Sequence, residues 1–159
     1  MTAPVLETAH LPRYKDIPDI GLLLEQTVRL VNGYVEPLGV SGLTSSMVSN
    51  YVKHDIIDRP RRKQYGRDQL AYLTFIAVAK MVLPLDDIQV ILEKQRERCS
   101  VELAYDCFCE ELECALAGKV CELQADDAKI AQLQELAHDI AAAASVSIAL
   151  RVKLERLTK

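Results

Sequence analysis

The chain has 159 residues, a length typical of one small domain or of one domain with an added helical arm. Half of the residues are hydrophobic and 26% are charged, which excludes a disordered or collagen-like chain. The net charge of −4 conceals an uneven distribution: residues 1–40 carry −2, residues 41–98 carry +3 and residues 99–159 carry −5. A basic segment between two acidic ones is the first indication of a functional surface.

The sequence also indicates the cellular compartment and the role of the cysteines. No apolar run reaches the roughly 20 residues of a membrane span, and the N-terminus lacks a basic stretch followed by an apolar one. We therefore expect a cytoplasmic protein without a membrane partner. An odd number of cysteines argues against a disulfide framework in that compartment. They fall within one stretch: Cys99, Cys107, Cys109, Cys114 and Cys121.

The N-terminal part predicts an arm followed by a helix. Residues 1–19 contain three prolines and no clear period, so we expect an irregular arm that Leu11, Tyr14 and Ile17 attach to the body. Asp19 is a candidate cap for the first helix, which Pro37 and Gly39 would end. Its apolar residues recur at helical spacing: Ile20, Leu23, Leu24, Val28, Val31 and Val35.

A short second helix is predicted from Leu43 to His54, with Thr44 as its cap. Its expected buried stripe comprises Met47, Val48, Tyr51 and Val52. Its outer side is polar: Ser45, Ser46, Ser49, Asn50 and Lys53. Because Ser and Asn are mediocre helix formers, their use there points to a role other than helix stability, with a plain solvated surface as the alternative.

A basic segment follows this helix. Residues 56–67 contain Pro60 and predict a small β-hairpin or an extended loop. Four of its cations cluster within residues 59–63, namely Arg59, Arg61, Arg62 and Lys63, and Arg67 ends the segment. An ordinary solvated loop is the alternative interpretation.

Four more helices are predicted, with approximate bounds. Asp68 opens one that Pro84 stops, and the next has Asp86 and Asp87 in its first turn, where the helix dipole favours them. Ser100 is a candidate cap for a helix over Val101 to about Ala117. The last runs from about Asp126 to Leu157 and has a seam suited to a partner helix. The seam residues are Leu136, Ile140, Ala143, Ser147, Leu150, Leu154 and Leu157.

A helix, a tight turn, a short helix and a basic hairpin form the layout of a winged helix-turn-helix. Such a domain needs a recognition helix with an apolar inner face and small polar groups outside. Its wing needs cations for phosphates. Residues 44–53 and 59–65 supply both parts.

The same residues resemble a known family. The run from Met47 to Tyr51, the wing with Tyr65, and the later stretch Leu83-Pro84-Leu85-Asp86-Asp87-Ile88 look like the DNA-binding domain of MerR-type regulators. The longer pattern over residues 11–92 is more similar to uncharacterised bacterial proteins called domain of unknown function 1836. It includes Leu11-Pro12-Arg13-Tyr14, Ile17-Pro18-Asp19-Ile20, Leu43-Thr44 and Asn50-Tyr51-Val52-Lys53.

The resemblance implies a DNA-binding dimer joined through a C-terminal helix, with Tyr51 and the basic wing on phosphates. Two departures concern base recognition: Ser49 stands where MerR-type helices usually carry Arg, and the wing is shorter. Adding the polar face of the second helix gives the predicted DNA-binding residues: Thr44, Ser45, Ser46, Ser49, Asn50, Tyr51, Lys53, Arg59, Arg61, Arg62, Lys63 and Tyr65.

Other function classes have less support. Cys107, Cys114 and Cys121 would share a helix face, but seven residues span about 10.5 Å, too far for thiolates on one Zn²⁺. Buried structural cysteines are the simpler interpretation, and no cofactor or metal is expected. No catalytic set can be argued from order alone, so we do not expect an enzyme. A protein-interaction adaptor on the same scaffold remains the rival to DNA binding, and a ligand or metal sensor in the helical region is a weaker third.

The sequence thus predicts a mostly α protein. It has an arm over 1–19, a MerR-like winged helix-turn-helix over 20–95 with a small basic β-hairpin as wing, and C-terminal helices over 96–159 for dimerisation and a possible effector. The predicted function is sequence-specific binding of double-stranded DNA as a homodimeric transcription regulator.

Overall fold

The computed structural model describes residues 10–117, and helices dominate this part of the chain. They are α1 (Leu24–Val35), α2 (Ser45–Lys53), α3 (Arg67–Ala79), α4 (Leu85–Arg98) and α5 (Val101–Leu116). Short 3-10 turns occupy Tyr14–Asp16 and Glu36–Leu38. The described residues form no β-strand, only two isolated antiparallel bridges. The mostly helical prediction is therefore confirmed for residues 10–117.

Helix α3 is the centre of the fold. Every residue from 70 to 79 is buried, and both α1 and α5 pack against this helix. Phe75 of α3 meets Phe108 of α5 edge to face, with ring centroids 4.9 Å apart. A continuous apolar run with helices on several sides makes α3 the scaffold on which the surface elements are fixed.

The described part of the arm is attached as predicted. Leu11 and Ile17 are buried in the core. The Glu113 carboxylate accepts hydrogen bonds from the Leu11 backbone N–H and, at 2.7 Å, from the Arg13 guanidinium. This bond to Glu113 raises the pKa of Arg13. The Tyr105 hydroxyl donates to the Pro12 carbonyl at 2.8 Å, so the arm is bound along α5 by polar contacts as well as by burial.

The predicted start of the first helix is wrong. Helix α1 begins at Leu24 instead of near Asp19, and Ile20 and Leu23 are 75% and 52% exposed. Gly21 has a φ of +63°, and Leu22 exchanges both backbone hydrogen bonds with Tyr65. A long-range bridge therefore holds this segment in a non-helical conformation that apolar spacing alone does not reveal.

Helix α2 confirms the Thr44 cap but not the full buried stripe. Val48 and Tyr51 are buried, whereas Met47, also predicted to be buried, is 39% exposed. Met47 lies about 100° around the helix from Val48, so the narrow contact with the core leaves it outside.

The later helices follow the sequence with small shifts. Arg67 and not Asp68 begins α3, and α3 ends at Ala79, before Pro84, which is the N-cap of α4. The Ser100 side chain accepts from the Leu103 N–H, as expected of a cap. The predicted helix over 126–157, its seam and Cys121 lie outside the described residues. Within the described residues, no helix is long and apolar enough to cross a bilayer.

Candidate nucleic-acid interface

Helix α2 presents a polar face on a short, firmly capped element. The Thr44 hydroxyl accepts a hydrogen bond from the Met47 N–H at 3.2 Å, which satisfies one of the free donors of the first turn. Inner residues Val48 and Tyr51 anchor the helix in the core. Ser45 is partly exposed, and the exposed polar residues that the sequence predicts on α2 and its cap are Thr44, Ser46, Ser49, Asn50 and Lys53.

The link between α1 and α2 is fixed by one side-chain amide. Asn32 of α1 donates from Nδ2 to the Leu43 carbonyl at 2.9 Å, and its Oδ1 accepts from the Leu43 N–H at 2.7 Å. Leu43 immediately precedes the Thr44 cap. Asn32 therefore sets where α2 begins relative to α1.

The basic segment forms a tight two-residue turn. Arg61 and Gln64 exchange both backbone hydrogen bonds, at 3.1 and 2.9 Å. The two residues between them have positive φ, +50° at Arg62 and +62° at Lys63. Two-residue turns that join paired strands have this positive-φ geometry and favour Asn-Gly. The sequence predicts a hairpin or an extended loop here, and the structure has a turn with a single bridge.

The start of α2 and the base of the basic turn each contact the N-terminal end of α1. The Ser45 hydroxyl donates to the Glu25 carboxylate at 2.8 Å, and Glu25 lies in the first turn of α1. Three residues earlier, Leu22 pairs with Tyr65, which directly follows the basic turn. Two contacts thus place the start of α2 and the base of the turn beside the N-terminus of α1.

The four cations over residues 59–63, in and just before the turn, differ in their surroundings. All four are exposed. Arg59 and Arg61 line an open groove of about 540 Å³ together with three carboxylates, Asp19, Asp58 and Asp68. Arg62 and Lys63 do not line this groove and form the tip of the turn. The tip therefore carries its positive charge outside this groove.

Two predicted site residues lie in the core instead of on the surface. Tyr51 and Tyr65 are 5% and 4% exposed, and burial raises the pKa of both phenols. The Tyr51 carbonyl accepts from the Ile56 N–H at 2.9 Å, which folds the chain back after α2. The structure therefore separates these two side chains from the exposed polar set.

One residue that supports the site could not be identified from the sequence. Arg96 of α4 donates to the Ile56 carbonyl at 2.6 Å and stacks over the Tyr72 ring at 4.8 Å. It fixes the segment between α2 and the basic turn. In the sequence it is one charge in the run over 93–98, and nothing there marks it.

The prediction of buried cysteines is confirmed for one of the four described cysteines, Cys109. Cys109 is fully buried, and burial raises its pKa to about 12. Burial likewise raises the pKa of Cys107 to about 11. Cys99, Cys107 and Cys114 are partly exposed, and the described cysteines are not disulfide-bonded. Among residues 10–117, no three His, Cys, Asp or Glu side chains come together as a metal site would require.

Comparison with known proteins identifies a family. A family model, Domain of unknown function (DUF1836), matches residues 12–108, which include the attached arm, α1 to α4 and half of α5. The chain belongs to this family. No curated protein and no solved structure matches the chain.

Proposed function

We propose that the protein binds double-stranded DNA in a sequence-specific manner as a transcription regulator. In this proposal α1 and α2 form a helix-turn-helix of the MerR type, α2 enters the major groove, and the turn over 61–64 acts as a minimal wing. The observation that carries the proposal is that the start of α2, through Ser45, and the base of the basic turn, through Tyr65, both contact the N-terminal end of α1.

The composition of α2 supports base recognition. Small hydroxyl and amide groups can reach base edges in the major groove, and Asn can pair with adenine through two hydrogen bonds. Ser49 and Asn50 are exposed, while the helix is held from below by Val48 and Tyr51. Lys53 in the last turn adds a cation for the DNA backbone.

The backbone of the turn supports a role for its tip. A left-handed conformation costs a non-glycine residue roughly 1–2 kcal/mol, and the chain accepts it at both Arg62 and Lys63. Stored strain of this kind is common at functional sites. Asn-Gly would form the same turn at lower cost but without the two charges. We infer that the cations are kept in this strained turn because they contact phosphates.

Tyr51 and Tyr65 take a different part in this proposal from the one that the sequence predicts. Being buried, they position α2 and the turn, while the exposed cations contact phosphates. The proposed homodimer forms through the C-terminal helix predicted over 126–157, as the resemblance to MerR-type regulators implies.

The double variant Arg62→Asn/Lys63→Gly tests DNA binding apart from folding. It relieves the strained turn, so the melting temperature should rise by a few degrees, corresponding to about 1 kcal/mol. It also removes two phosphate contacts, so affinity for every duplex should fall. The slope of log K against log salt should become shallower by about 1.8, at about 0.9 per lost contact. Fluorescence anisotropy over a series of salt concentrations measures the affinity and its salt slope, and thermal unfolding measures the melting temperature.

A matched control removes two cations elsewhere. Lys15 in the arm and Lys94 on α4 are exposed, and Lys15→Gln/Lys94→Gln should leave the salt slope unchanged. A tip variant that is more stable than the wild type but binds DNA equally at every salt would exclude DNA binding through this turn.

Sequence specificity needs its own variant. Asn50→Ala should weaken binding to a duplex selected from random DNA by about 1–3 kcal/mol while changing affinity for unselected DNA little. An equal loss on both duplexes would assign Asn50 to the phosphate backbone instead.

The adaptor function has one observation in its favour. An open, mainly apolar groove of about 550 Å³ lies beside α1 and is lined by half-buried Leu22, Leu30 and Tyr34, among others. A contiguous exposed apolar surface is typical of sites that contact other proteins. If the tip variant and wild type show no DNA binding at low salt, the adaptor function becomes the preferred one.

A further inference from the structure

Met47 is an exposed apolar side chain on a helix face that is otherwise polar. It is 39% exposed, and its exposed neighbours on α2 are Ser46, Ser49 and Asn50. The core contact of α2 is made by Val48 and Tyr51, so Met47 is not needed to bury the helix. An apolar residue at this position has no evident role within the described part of the molecule.

Met47 lies at the N-terminal end of α2, the part of a recognition helix that contacts bases in helix-turn-helix proteins. Its N–H bonds to the Thr44 cap, which places it in the first turn of the helix. In helix-turn-helix proteins the N-terminal residues of the second helix contact base edges. Met47 and Asn50 are three residues apart, so their side chains are neighbours on the same face, with Cβ atoms roughly 5–6 Å apart.

The chemistry of the major groove offers one apolar partner. Only thymine presents a methyl group there, at C5, whereas adenine presents the donor and acceptor pair that suits an Asn amide. An adjacent Met and Asn therefore match the two halves of an A·T pair, or two neighbouring pairs, since successive pairs are about 3.4 Å apart.

We propose that Met47 determines sequence specificity by contacting the C5-methyl group of a thymine next to the base that Asn50 recognises. This inference rests on the proposed function and deepens it. The preferred site then contains an A·T pair, and part of its selectivity comes from an apolar contact instead of hydrogen bonds.

Deoxyuridine provides the test because it differs from thymidine only by the absence of this methyl group. A duplex is first selected from random DNA with the full chain, and each thymine in turn is replaced by uracil. Wild type should lose about four-fold in affinity at one position, the equivalent of one methyl group leaving water (~0.8 kcal/mol). Met47→Ala should show no further loss at that position, because the contact is already absent.

Two control variants accompany this comparison of wild type with Met47→Ala. Val90→Ala removes an apolar side chain of similar exposure from α4 and should keep the four-fold loss. Met47→Leu keeps an apolar group at the site and should retain most of the four-fold loss of affinity on uracil substitution. The scan with wild type alone involves no variant protein, so it stands even if Met47→Ala folds poorly.

The outcomes separate this inference from the proposed function. A selected duplex that wild type binds equally well with thymine or uracil at every position would overturn the role of Met47 and leave specific DNA binding intact. A uracil loss that Met47→Ala retains in full would overturn it as well. Failure to enrich any duplex would remove the proposed function, and this inference with it.

Discussion

A side chain at Gly42 and the present position of Asn32 are mutually exclusive. A Cβ at Gly42 would lie 2.6 Å from Asn32 Oδ1, the same oxygen that accepts the Leu43 N–H. Gly42 also has a φ of +77°, a conformation that residues with a side chain rarely adopt. The link that positions α2 therefore depends on one glycine and one amide together.

The first prediction concerns Gly42→Ala. Positive φ alone should cost about 1–2 kcal/mol, and the displaced Asn32 amide adds the loss of its hydrogen bonds to Leu43. Urea unfolding measures the change. Asn32→Ala should cost about 1–3 kcal/mol, for two hydrogen bonds of about 0.5–1.5 each. The double variant should cost less than the sum, because both changes break the same contact.

Gly33→Ala is the control for this series. Gly33 is exposed in α1 and has open space where a Cβ would be, so Ala should stabilise the helix by roughly 0.5–1 kcal/mol. If Gly42→Ala did not lower the free energy of unfolding, the amide of Asn32 would not determine the position of α2.

The second prediction concerns Glu25, whose carboxylate lies beside the start of α2. Glu25→Gln keeps an acceptor for the Ser45 hydroxyl and removes a negative charge next to the proposed DNA surface. Affinity for DNA should rise a few-fold at low salt, and the gain should shrink as salt screens the charge. Glu36→Gln removes an exposed carboxylate just beyond the other end of α1 and should change affinity less. An equal gain from both variants would contradict the proposed placement of DNA.

Features governed by neighbouring residues could be predicted from the sequence. Thr44 and Ser100 cap helices as expected, and Gly39 ends the first helical segment in the left-handed conformation. The exposure of Ser49 and Asn50 likewise follows from helical spacing. These features depend on contacts within about four residues, which a sequence displays directly.

Features governed by distant contacts could not be predicted from the sequence. The bridge from Leu22 to Tyr65 displaces the start of α1, and Arg96 reaches Ile56 across forty residues. The exposure of Met47 depends on how wide a stripe the core covers on α2, which no local pattern specifies. The residues that form the candidate site were therefore largely predictable, whereas the contacts that assemble it were not.

The third prediction concerns stability at alkaline pH. Burial raises the pKa of Cys109 from 9.0 to about 12, so the folded state keeps this proton at pH values where the unfolded chain releases it. The contribution is fully present below the pKa of the unfolded thiol, about 9, and is lost as pH rises toward 12. The free energy of unfolding should fall over this range.

Cys109→Ala isolates the thiol. Removing it should flatten the pH dependence between pH 9 and about 11, although Cys107 and Tyr14, whose pKa values are also raised, should keep some slope. Urea midpoints at several pH values measure the effect. A variant with the same slope as wild type would show that the Cys109 thiol does not contribute.

The fourth prediction concerns the C-terminal seam, which lies beyond the described residues and rests on sequence spacing. Ile140→Asp/Leu154→Asp would place charges in a helix contact and should cost several kcal/mol of association. Light scattering should then show a monomer. Ser145→Asp/Val152→Asp adds the same charges on the opposite side of the predicted helix and should leave the dimer intact.

The proposed DNA binding would connect the seam to the candidate interface. A twofold dimer would place two α2 helices on half-sites about one helical turn apart, so the selected duplex should be a pseudo-palindrome. The seam variant should lose much of its affinity for the full site while keeping that for a single half-site, because α2 and the basic turn are unchanged. Equal losses on both duplexes would mean that the seam supports folding of the DNA-binding part itself. A seam variant that remains dimeric would place the dimer contact elsewhere in the chain.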